Sequence, residues 1–366
     1  MKASFDVLFA RNKSKGEAFL DELRGKRPLF VCTIATTETA KITGISAAGK
    51  YPEFTDYTPP ADAELLLLGR CKCIAGVPVT PDGIPTPALI TVSALQLADA
   101  PVLIASGGLK VAPQIPFLDL GGSPGRDIRK GNAVDNVAEV IDRATMAGQQ
   151  LAKHSDYIVI GESIPGGTTT ALAVLSAMGI QAKGKVSSSM PENPHDLKYA
   201  AVLDGLTAAG ERFGSLSSNP VRAISCVGDP MMAAFAGILI GAAGQVPVLM
   251  GGGTQMTAVL AVVNALKSDV LCNVAIGTTK WVVSDNSSDI RGIVSQIADV
   301  PVLAANLDFT SSKFEGLKAY EKGIVKEGVG AGGVAITAMA ATEGAITKEM
   351  LLGRIERNYA LLMGAK

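Results

Sequence analysis

Histidine is scarce in this chain, with only two copies among 366 residues. His154 and His195 do not form an H-x-x-x-H pair, so the sequence offers no histidine site for a metal ion. The five cysteines lack a metal pattern as well, because Cys71 and Cys73 are too close together for the usual zinc spacing and no second pair answers them. We therefore expect no metal and no cofactor, and reduced, mostly buried thiols in a cytoplasmic protein.

Charge is also sparse, since charged residues make up 18% of the chain and the formal net charge is −1. The lysines form no long run, which excludes nucleic acid and anionic membrane surfaces as expected partners. The first residues, Met1–Asp6, show no signal-peptide core. The longest uncharged stretch, Pro230–Leu266, is interrupted by Gln245, Pro247 and glycines, so we expect no membrane-spanning helix.

What the chain does contain is an alternation of apolar strand candidates and helical stretches from about Glu64 onward. Strands that are apolar on both faces and separated by helices predict a mostly parallel sheet covered on both sides, which is an α/β fold. The strand candidates are residues 64–69, 101–105, 115–120, 157–160, 223–227, 246–250, 271–276 and 301–305. Helical stretches between them include residues 86–100, 134–155 and 254–268.

The two chain ends differ from this pattern. A charged helix at Lys13–Arg24 precedes a strand at residues 28–37, and two further helices are predicted at residues 333–344 and 347–363. We expect the two ends to pack together as a small helical subdomain beside the sheet. The predicted division is a large α/β domain, residues 64–330, and a smaller subdomain made of residues 1–63 plus 331–366.

One glycine turn is the most informative motif. Residues 156–179 have the pattern of a buried strand, a turn carrying one carboxylate, and a helix opened by three threonines. The turn Gly161–Thr168 has the spacing of a Walker A loop, but Gly167 stands where that motif needs its lysine. Backbone N–H groups and the helix dipole still suit a phosphate there. The sequence thus predicts a monophosphate-ester site and disfavours an ATP-using enzyme.

Other glycine-rich turns follow later strand candidates, at Gly228–Pro230, Gly251–Thr254 and Gly277–Thr279. Such turns gather at the carboxyl edge of an open parallel sheet, where ligands bind. A binding crevice is therefore predicted along that edge.

Three charged residues are candidates for the chemistry, each with a simpler alternative. Glu162 follows an apolar strand, where a charge is costly without a partner, so a ligand contact is favoured over capping of nearby N–H groups. Lys198 lies near the positive end of a helix, which hints at an anionic partner, but an exposed, solvated lysine is the simpler interpretation. Glu327 precedes a glycine turn that opens an apolar helix. It fits a general base with a raised pKa and an ordinary surface glutamate equally well.

Taken together, these motifs resemble the nicotinate-nucleotide–dimethylbenzimidazole phosphoribosyltransferase family, in its archaeal and cyanobacterial type. The strongest signal is the G-E-x-x-x-x-G-T-T turn at residues 161–169 combined with the late K-E-G-V-G-A-G-G turn at residues 326–333. The other matching segments are residues 86–99, 117–121, 227–243 and 246–253.

The resemblance implies a doubly wound, Rossmann-like sheet with a small helical subdomain from the chain ends, and a homodimer. It implies transfer of the phosphoribosyl group from nicotinate mononucleotide to a benzimidazole-type base, giving an α-ribazole phosphate for the lower ligand of a cobamide. Glu327 matches the catalytic glutamate that removes a proton from the incoming base. The substrate-binding residues implied in the same way are Glu162, Gly166, Gly167, Thr168, Thr169, Lys198, Gly251, Gly252 and Gly253.

The family's A-D-H-G motif, part of the base pocket, is replaced here by residues 68–73, L-G-R-C-K-C. Adenine or another base is therefore an open alternative as the acceptor. A non-catalytic protein that binds a nucleotide or a corrinoid precursor on the same fold is the alternative function.

Overall fold

The computed structural model describes residues 5–46, 48, 51–80 and 82–363. Within them, one sheet contains all the strands. The strands are β1 (Val7–Arg11), β2 (Pro28–Ala35), β3 (Val102–Gly108), β4 (Leu118–Asp119), β5 (Tyr157–Ser163), β6 (Val248–Gly251), β7 (Val274–Thr279) and β8 (Val302–Ala305). Their order across the sheet is β1-β8-β7-β6-β5-β2-β3-β4. Only β1 runs antiparallel to its neighbour, among the described pairs.

Helices cover both faces of this sheet. The first half of the chain contributes α1 (Lys13–Leu23), α2 (Thr58–Leu68), α3 (Ala88–Ala98), α4 (Val137–Leu151) and α5 (Gly167–Ala177). The middle contributes α6 (His195–Ala208), α7 (Pro220–Val227), α8 (Pro230–Ala243), α9 (Met256–Lys267), α10 (Lys280–Val283) and α11 (Ile290–Val294). The last part contributes α12 (Glu315–Lys318), α13 (Ala331–Ala341) and α14 (Lys348–Leu362).

The core consists of two apolar layers separated by the sheet. Helices α4 to α9 bury one layer, and helices α1 to α3, α13 and α14 bury the other. Successive strand residues alternate between them: Val31 of β2 belongs to the first layer, and Phe30 and Cys32 to the second. The central strands are therefore apolar on both faces, as a covered parallel sheet requires. This confirms the predicted doubly wound, three-layer α/β fold.

Two predicted strands are wrong. Residues 64–69 belong mostly to α2, because the proline pair Pro59–Pro60 starts a helix there and a short apolar run alone does not distinguish the two structures. Residues 223–227 belong to α7, whose N-cap Asn219 accepts a hydrogen bond at 3.1 Å from the N–H of Arg222. The turn at Gly228–Pro230 thus follows a helix rather than a strand.

The sheet takes strands from both parts of the predicted division of the chain. β1 and β2 come from residues 1–63, and the other strands come from residues 64–330. The chain ends also meet, since α1 contacts α13 on one face of the sheet. A separate subdomain made of the ends stays a prediction, to which the structure adds that the sheet crosses the proposed boundary.

The order of strands reverses direction between β2 and β5. From β2 the chain proceeds outward through β3 and β4, and from β5 it proceeds the other way through β6, β7 and β8. Ligands of open α/β sheets bind outside the carboxyl ends of the strands at such a point. The sheet therefore places the expected crevice at the ends of β2, β5 and β6.

One helical run, Met256–Asn273, is long and apolar enough to cross a membrane by length and composition, among the described helices. It begins with α9, which packs against α5 and α8 inside the fold. Core helices of globular proteins pass the same test.

Candidate active site

A cavity opens at the carboxyl end of β5. Besides two α2 residues, Thr58 and Asp62, and a few residues near position 46, its wall consists of short segments that precede or follow helices. These segments are Pro78–Thr80, Ile84–Pro87, Glu162–Thr168, Ser187–Ser189, Gly253–Gln255 and Val325–Val329.

The structure brings the early glycine turn and the late one together in this wall. The N–H of Val329 donates a hydrogen bond to the carbonyl of Glu162 at 2.8 Å. A methyl group added at Gly253 would lie 3.7 Å from Cβ of Glu327. Three segments that are far apart in the sequence therefore meet around one space, and each contributes a residue predicted from the sequence.

Glu327 is partly exposed, and the space it faces is the cavity. Its carboxylate accepts hydrogen bonds from the N–H of Gly328 at 3.1 Å and of Gly332 at 3.2 Å, and from the hydroxyl of Thr278 at 3.4 Å. Removal from bulk water raises the pKa of Glu327 to about 7, and these donors oppose that rise. Glu327 is therefore not an ordinary surface glutamate, and near neutral pH it can take up or release a proton.

The backbone around Glu327 is strained. Val325, Lys326 and Val329 have positive φ angles of 70°, 54° and 56°, which non-glycine and especially β-branched residues rarely adopt. Contacts on both sides hold this conformation. The hydroxyl of Thr279 donates to the Lys326 carbonyl at 2.7 Å, and that of Thr91 donates to the Val329 carbonyl at 2.9 Å. Strain of this kind persists where the surroundings fix it, and it clusters at functional sites.

Glu162 lies deeper, with 3% of its surface exposed. Burial raises the pKa of Glu162 well above its ordinary value, and the nearby carboxylates of Glu327 and Asp229 raise it further. The N–H of Ile164 donates a hydrogen bond that only partly offsets this effect. These surroundings favour the uncharged form of Glu162, and a positive charge entering the cavity would favour the ionised form.

The predicted phosphate turn opens helix α5 at the cavity. Gly166 has a φ of 81°, and a methyl group there would lie 3.0 Å from the backbone of Ala40, so a glycine is required. A methyl group at Gly167 would overlap Oε1 of Gln255. Gln255 thus fills the space beside the position where a Walker A loop carries its lysine.

The remaining predicted residues divide between the wall and the layer behind it. Thr168 lines the cavity, whereas Thr169 is fully buried behind it. Gly251 and Gly252 lie outside the wall, where they allow close packing. A methyl group on Gly251 would lie 3.1 Å from Cα of Gly330.

Lys198 is fully buried in α6, so its interpretation as an exposed, solvated lysine is wrong. Its ammonium group donates to the Ser187 carbonyl at 2.7 Å and to Oδ1 of Asn193 at 3.1 Å. Burial, and to a smaller extent the nearby Lys326, lower the pKa of Lys198 to about 7. Lys198 lies outside the set of residues that line the cavity, and it supports the serine segment of the wall from behind.

Sequence reasoning missed Asp62, which lines the cavity with 2% of its surface exposed. Its two oxygens accept hydrogen bonds from the hydroxyls of Thr86 at 2.8 Å and Ser163 at 2.7 Å. Burial raises the pKa of Asp62 to about 6. The available signal was the position of Asp62 between two alanines in a run whose other carboxylate is Glu64, because a carboxylate is costly to bury without polar partners.

The ionisable side chains of the described cavity wall are mainly acidic. Asp62, Glu162 and Glu327 line it, and the one lysine of that lining, Lys326, forms an ion pair with Asp285 at 2.8 Å. Within the described residues, no group of three or more histidine, cysteine or acidic side chains is arranged to hold a metal ion. The site therefore suits a ligand that carries positive charge beside the acidic side chains.

Two solved structures share the fold of this chain. A nicotinate-nucleotide–dimethylbenzimidazole phosphoribosyltransferase from Thermus thermophilus superposes with a TM-score of 0.57 at 16% sequence identity, covering 97% of this chain and 94% of that one. A second structure from the same organism superposes with a TM-score of 0.57 at 18% identity, covering 89% of this chain and 91% of its own. At such identity the likeness concerns the fold.

Sequence comparison is more specific. Residues 98–280 match the family model described as phosphoribosyltransferase. A UPF0284 protein of Sulfurisphaera tokodaii is 46% identical over 334 residues, covering 91% of this chain and 93% of the relative. A UPF0284 protein of Archaeoglobus fulgidus is 47% identical over 347 residues, covering 94% of this chain and 97% of the relative. The chain belongs to the nicotinate-nucleotide–dimethylbenzimidazole phosphoribosyltransferase family, among its archaeal UPF0284 members.

Proposed function

We propose that this protein transfers the 5-phosphoribosyl group of nicotinate mononucleotide to a nitrogen of an aromatic base. The product is an α-ribazole-type phosphate that supplies the lower ligand of a cobamide. The observation that carries the proposal is that Glu327 and residues Glu162–Thr168 of the glycine turn line the same cavity. A base-activating carboxylate and a turn suited to a sugar phosphate are thereby within one ligand's length.

The acidic wall supports the choice of donor. The ring nitrogen of nicotinate mononucleotide is a pyridinium and carries a positive charge while it is bonded to the ribose. Beside that charge, ionised Glu162 becomes favourable, because an opposite charge lowers the pKa of a carboxyl group. Once ionised, Glu162 stabilises the positive charge that develops on the ribose as the bond to nicotinate breaks.

The N-termini of two helices in the cavity wall support a binding position for the phosphate group. The wall contains the N-terminal residues of α5, at Gly167 and Thr168, and the segment Gly253–Gln255 that leads into α9. Helix N-termini attract anions through free N–H groups and the helix dipole. This arrangement holds a monophosphate without a lysine at position 167.

The proposed step requires one base and no metal. A ring nitrogen of the acceptor attacks C1′ of the ribose, and the electron pair of the breaking C1′–N bond goes to nicotinate, whose ring becomes neutral. The second ring nitrogen of the acceptor then gives its proton to the carboxylate of Glu327. Such general-base assistance contributes about 10²–10⁴-fold to a rate.

A non-catalytic function is the second candidate, and one observation favours it. Lys198 lies behind the wall, and the lysine that does line the described wall is already paired with Asp285. The described lining thus offers no free cation to neutralise the phosphate during transfer, which fits a protein that binds a nucleotide or a corrinoid precursor without catalysing the reaction.

The deciding experiment measures nicotinate release from nicotinate mononucleotide with a panel of bases, by chromatography. Base-dependent release with formation of the ribosylated base phosphate is the expected result. Saturable binding of nicotinate mononucleotide without release under any base would favour the non-catalytic function.

We also propose that the protein is a cytoplasmic homodimer, because the family it belongs to is usually dimeric. Light scattering coupled to size-exclusion chromatography tests this, and a mass near 37.6 kDa would identify a monomer.

A further inference from the structure

The wall of the cavity next to Asp62 is apolar and rigid. Pro85 and Pro87 flank Thr86, and Val79 and Ile84 lie beside them. The hydroxyl of Thr86 donates to Asp62, and Pro87 lies close to Gly328, where an added methyl group would be 3.3 Å from its Cγ. The proline wall therefore extends from Asp62 at one side to the neighbour of Glu327 at the other.

This geometry fits a flat aromatic ring lying against the prolines. Its proton-bearing nitrogen would face Glu327, and its opposite edge would face Asp62. The two hydroxyl donors of Thr86 and Ser163 occupy one lone pair on each oxygen of Asp62. A carboxylate has about four acceptor positions, so acceptor capacity remains on Asp62 for a ligand.

We propose that Asp62 determines the specificity for the acceptor base, by accepting a hydrogen bond from an amino, hydroxyl or ring N–H group on the edge remote from the attacking nitrogen. The inference rests on the proposed transfer reaction and names its substrate class: an aromatic base with a polar hydrogen-bond donor, rather than one that presents methyl groups there. Both Asp62 and the hydroxyls that orient it are buried, so a purely apolar edge would leave the remaining acceptor positions of the carboxylate unfilled.

The test compares bases paired by the donor: adenine with purine, which lacks the amino group, and 5-hydroxybenzimidazole with 5-methoxybenzimidazole, in which a methyl group replaces the hydroxyl proton. For the wild-type protein we expect kcat/KM for the donor base to exceed that of its partner by about tenfold or more, the size of a hydrogen bond to a charged group. In Asp62→Asn, which keeps the volume but replaces one acceptor oxygen by an NH2 donor and removes the charge, this ratio is expected to fall severalfold. The inference would be overturned if the ratio of kcat/KM between donor base and partner base were the same in wild type and D62N, or if the wild type preferred the methoxy base. The proposed function would still stand in that case, provided that turnover depends on the base.

Calorimetric binding of the same base pairs separates the two proposals if no base gives turnover. Donor preference that is present in the wild type and lost in D62N would support the role of Asp62 although the reaction has failed. Equal binding of both members of each pair would overturn it. If D62N does not fold, as judged by circular dichroism, Thr86→Val replaces it, since this isosteric change removes one hydroxyl that orients the carboxylate. A partial loss of the ratio is then expected, and an unchanged ratio contradicts the inference.

Discussion

Two segments of the wall each carry one glutamate, and they differ in how they hold it. The Glu162 turn, Gly161–Thr168, continues a regular strand and leads into α5. The Glu327 segment, Val325–Gly330, has positive φ angles at Val325, Lys326 and Val329 and leads into α13. Glu162 is fully enclosed, whereas Glu327 is stabilised by two backbone N–H donors and a hydroxyl.

Because their surroundings differ, the two carboxyl groups have different pKa values. Burial and neighbouring carboxylates raise the pKa of Glu162 well above its ordinary value, while the donors around Glu327 limit its pKa to about 7. A pair of titratable groups whose surroundings push their pKa values apart marks distinct acid–base roles. Glu327 is the group suited to accept a proton at neutral pH, and Glu162 is the one that responds to an incoming positive charge.

The largest test of this comparison is Glu327→Gln. We expect kcat to fall about 10²–10⁴-fold, because the amide cannot accept the proton of the incoming base. Binding of nicotinate mononucleotide is expected to stay nearly intact, as measured by calorimetry. Glu139→Gln, at an exposed position on α4, is the matched control and should leave turnover unchanged. Turnover of E327Q at the wild-type level would remove Glu327 from the mechanism.

The pH dependence of kcat/KM should reflect the ionisation of Glu327. The base must be ionised, so kcat/KM is expected to be level above about pH 7 and to fall about tenfold per pH unit below it, since the pKa of Glu327 is raised to about 7. Initial rates between pH 5 and 9 measure this. The residual activity of E327Q should lack the same acidic limb. A wild-type rate that stays constant from pH 5 to 7 would show that some other group takes the proton.

The support beneath the Glu327 segment is tested by Gly332→Ala. Its N–H donates to both oxygens of Glu327, at 3.2 Å, and an added methyl group would overlap the carbonyl group of Thr278. We expect a loss of about 1–3 kcal/mol in unfolding free energy, typical of overpacking, together with loss of activity. Gly244→Ala is the control, because nothing lies within 4 Å of a methyl group there. Equal stability of G332A and G244A would contradict the packing described.

The smallest expected effect is a change in the unfolding free energy when Glu162, in the first of the two segments, is replaced. Folded Glu162 keeps its proton above the ordinary pKa of 4.5, whereas the unfolded chain loses it, so this group lowers stability as pH rises beyond that value. Glu162→Gln should remove this cost, so its gain in unfolding free energy over the wild type is expected to be larger at pH 8 than at pH 4.5. Thermal unfolding at both pH values measures this difference. A Tm gain equal at the two pH values would point to packing rather than to the charge.

The sequence predicted the parts of this structure that depend on local patterns. Apolar runs followed by glycine turns located β5 and β6, and the glycine turn before α13 indicated Glu327. Patterns of the same kind failed at residues 64–69, because an apolar run of that length fits a buried helix as well as a strand. The antiparallel strand β1 was missed, since edge strands are short and half exposed.

Contacts between distant segments were beyond sequence reasoning. The role of Asp62 depends on Thr86 and Ser163, which lie 24 and 101 residues away in the chain. The burial of Lys198 likewise depends on how the serine segment folds over it. Local propensity carries no information on such pairs, so these residues were either missed or misinterpreted.

At the start of α13, the backbone of the helix lies directly against the backbone of the sheet. Gly330 and Gly333 approach the glycines at the ends of β5 to β7 so closely that added methyl groups would lie 3.0 Å from Cα of Gly161 and 2.7 Å from Cα of Gly251. At these two contacts the nearest atom is a backbone Cα, which cannot move aside as the end of a side chain can. The proline wall belongs to a different part of the chain, residues 84–87, and makes none of these glycine contacts. Descendants of this protein could therefore exchange one acceptor for another by altering that wall, while the proton-accepting residue keeps its place.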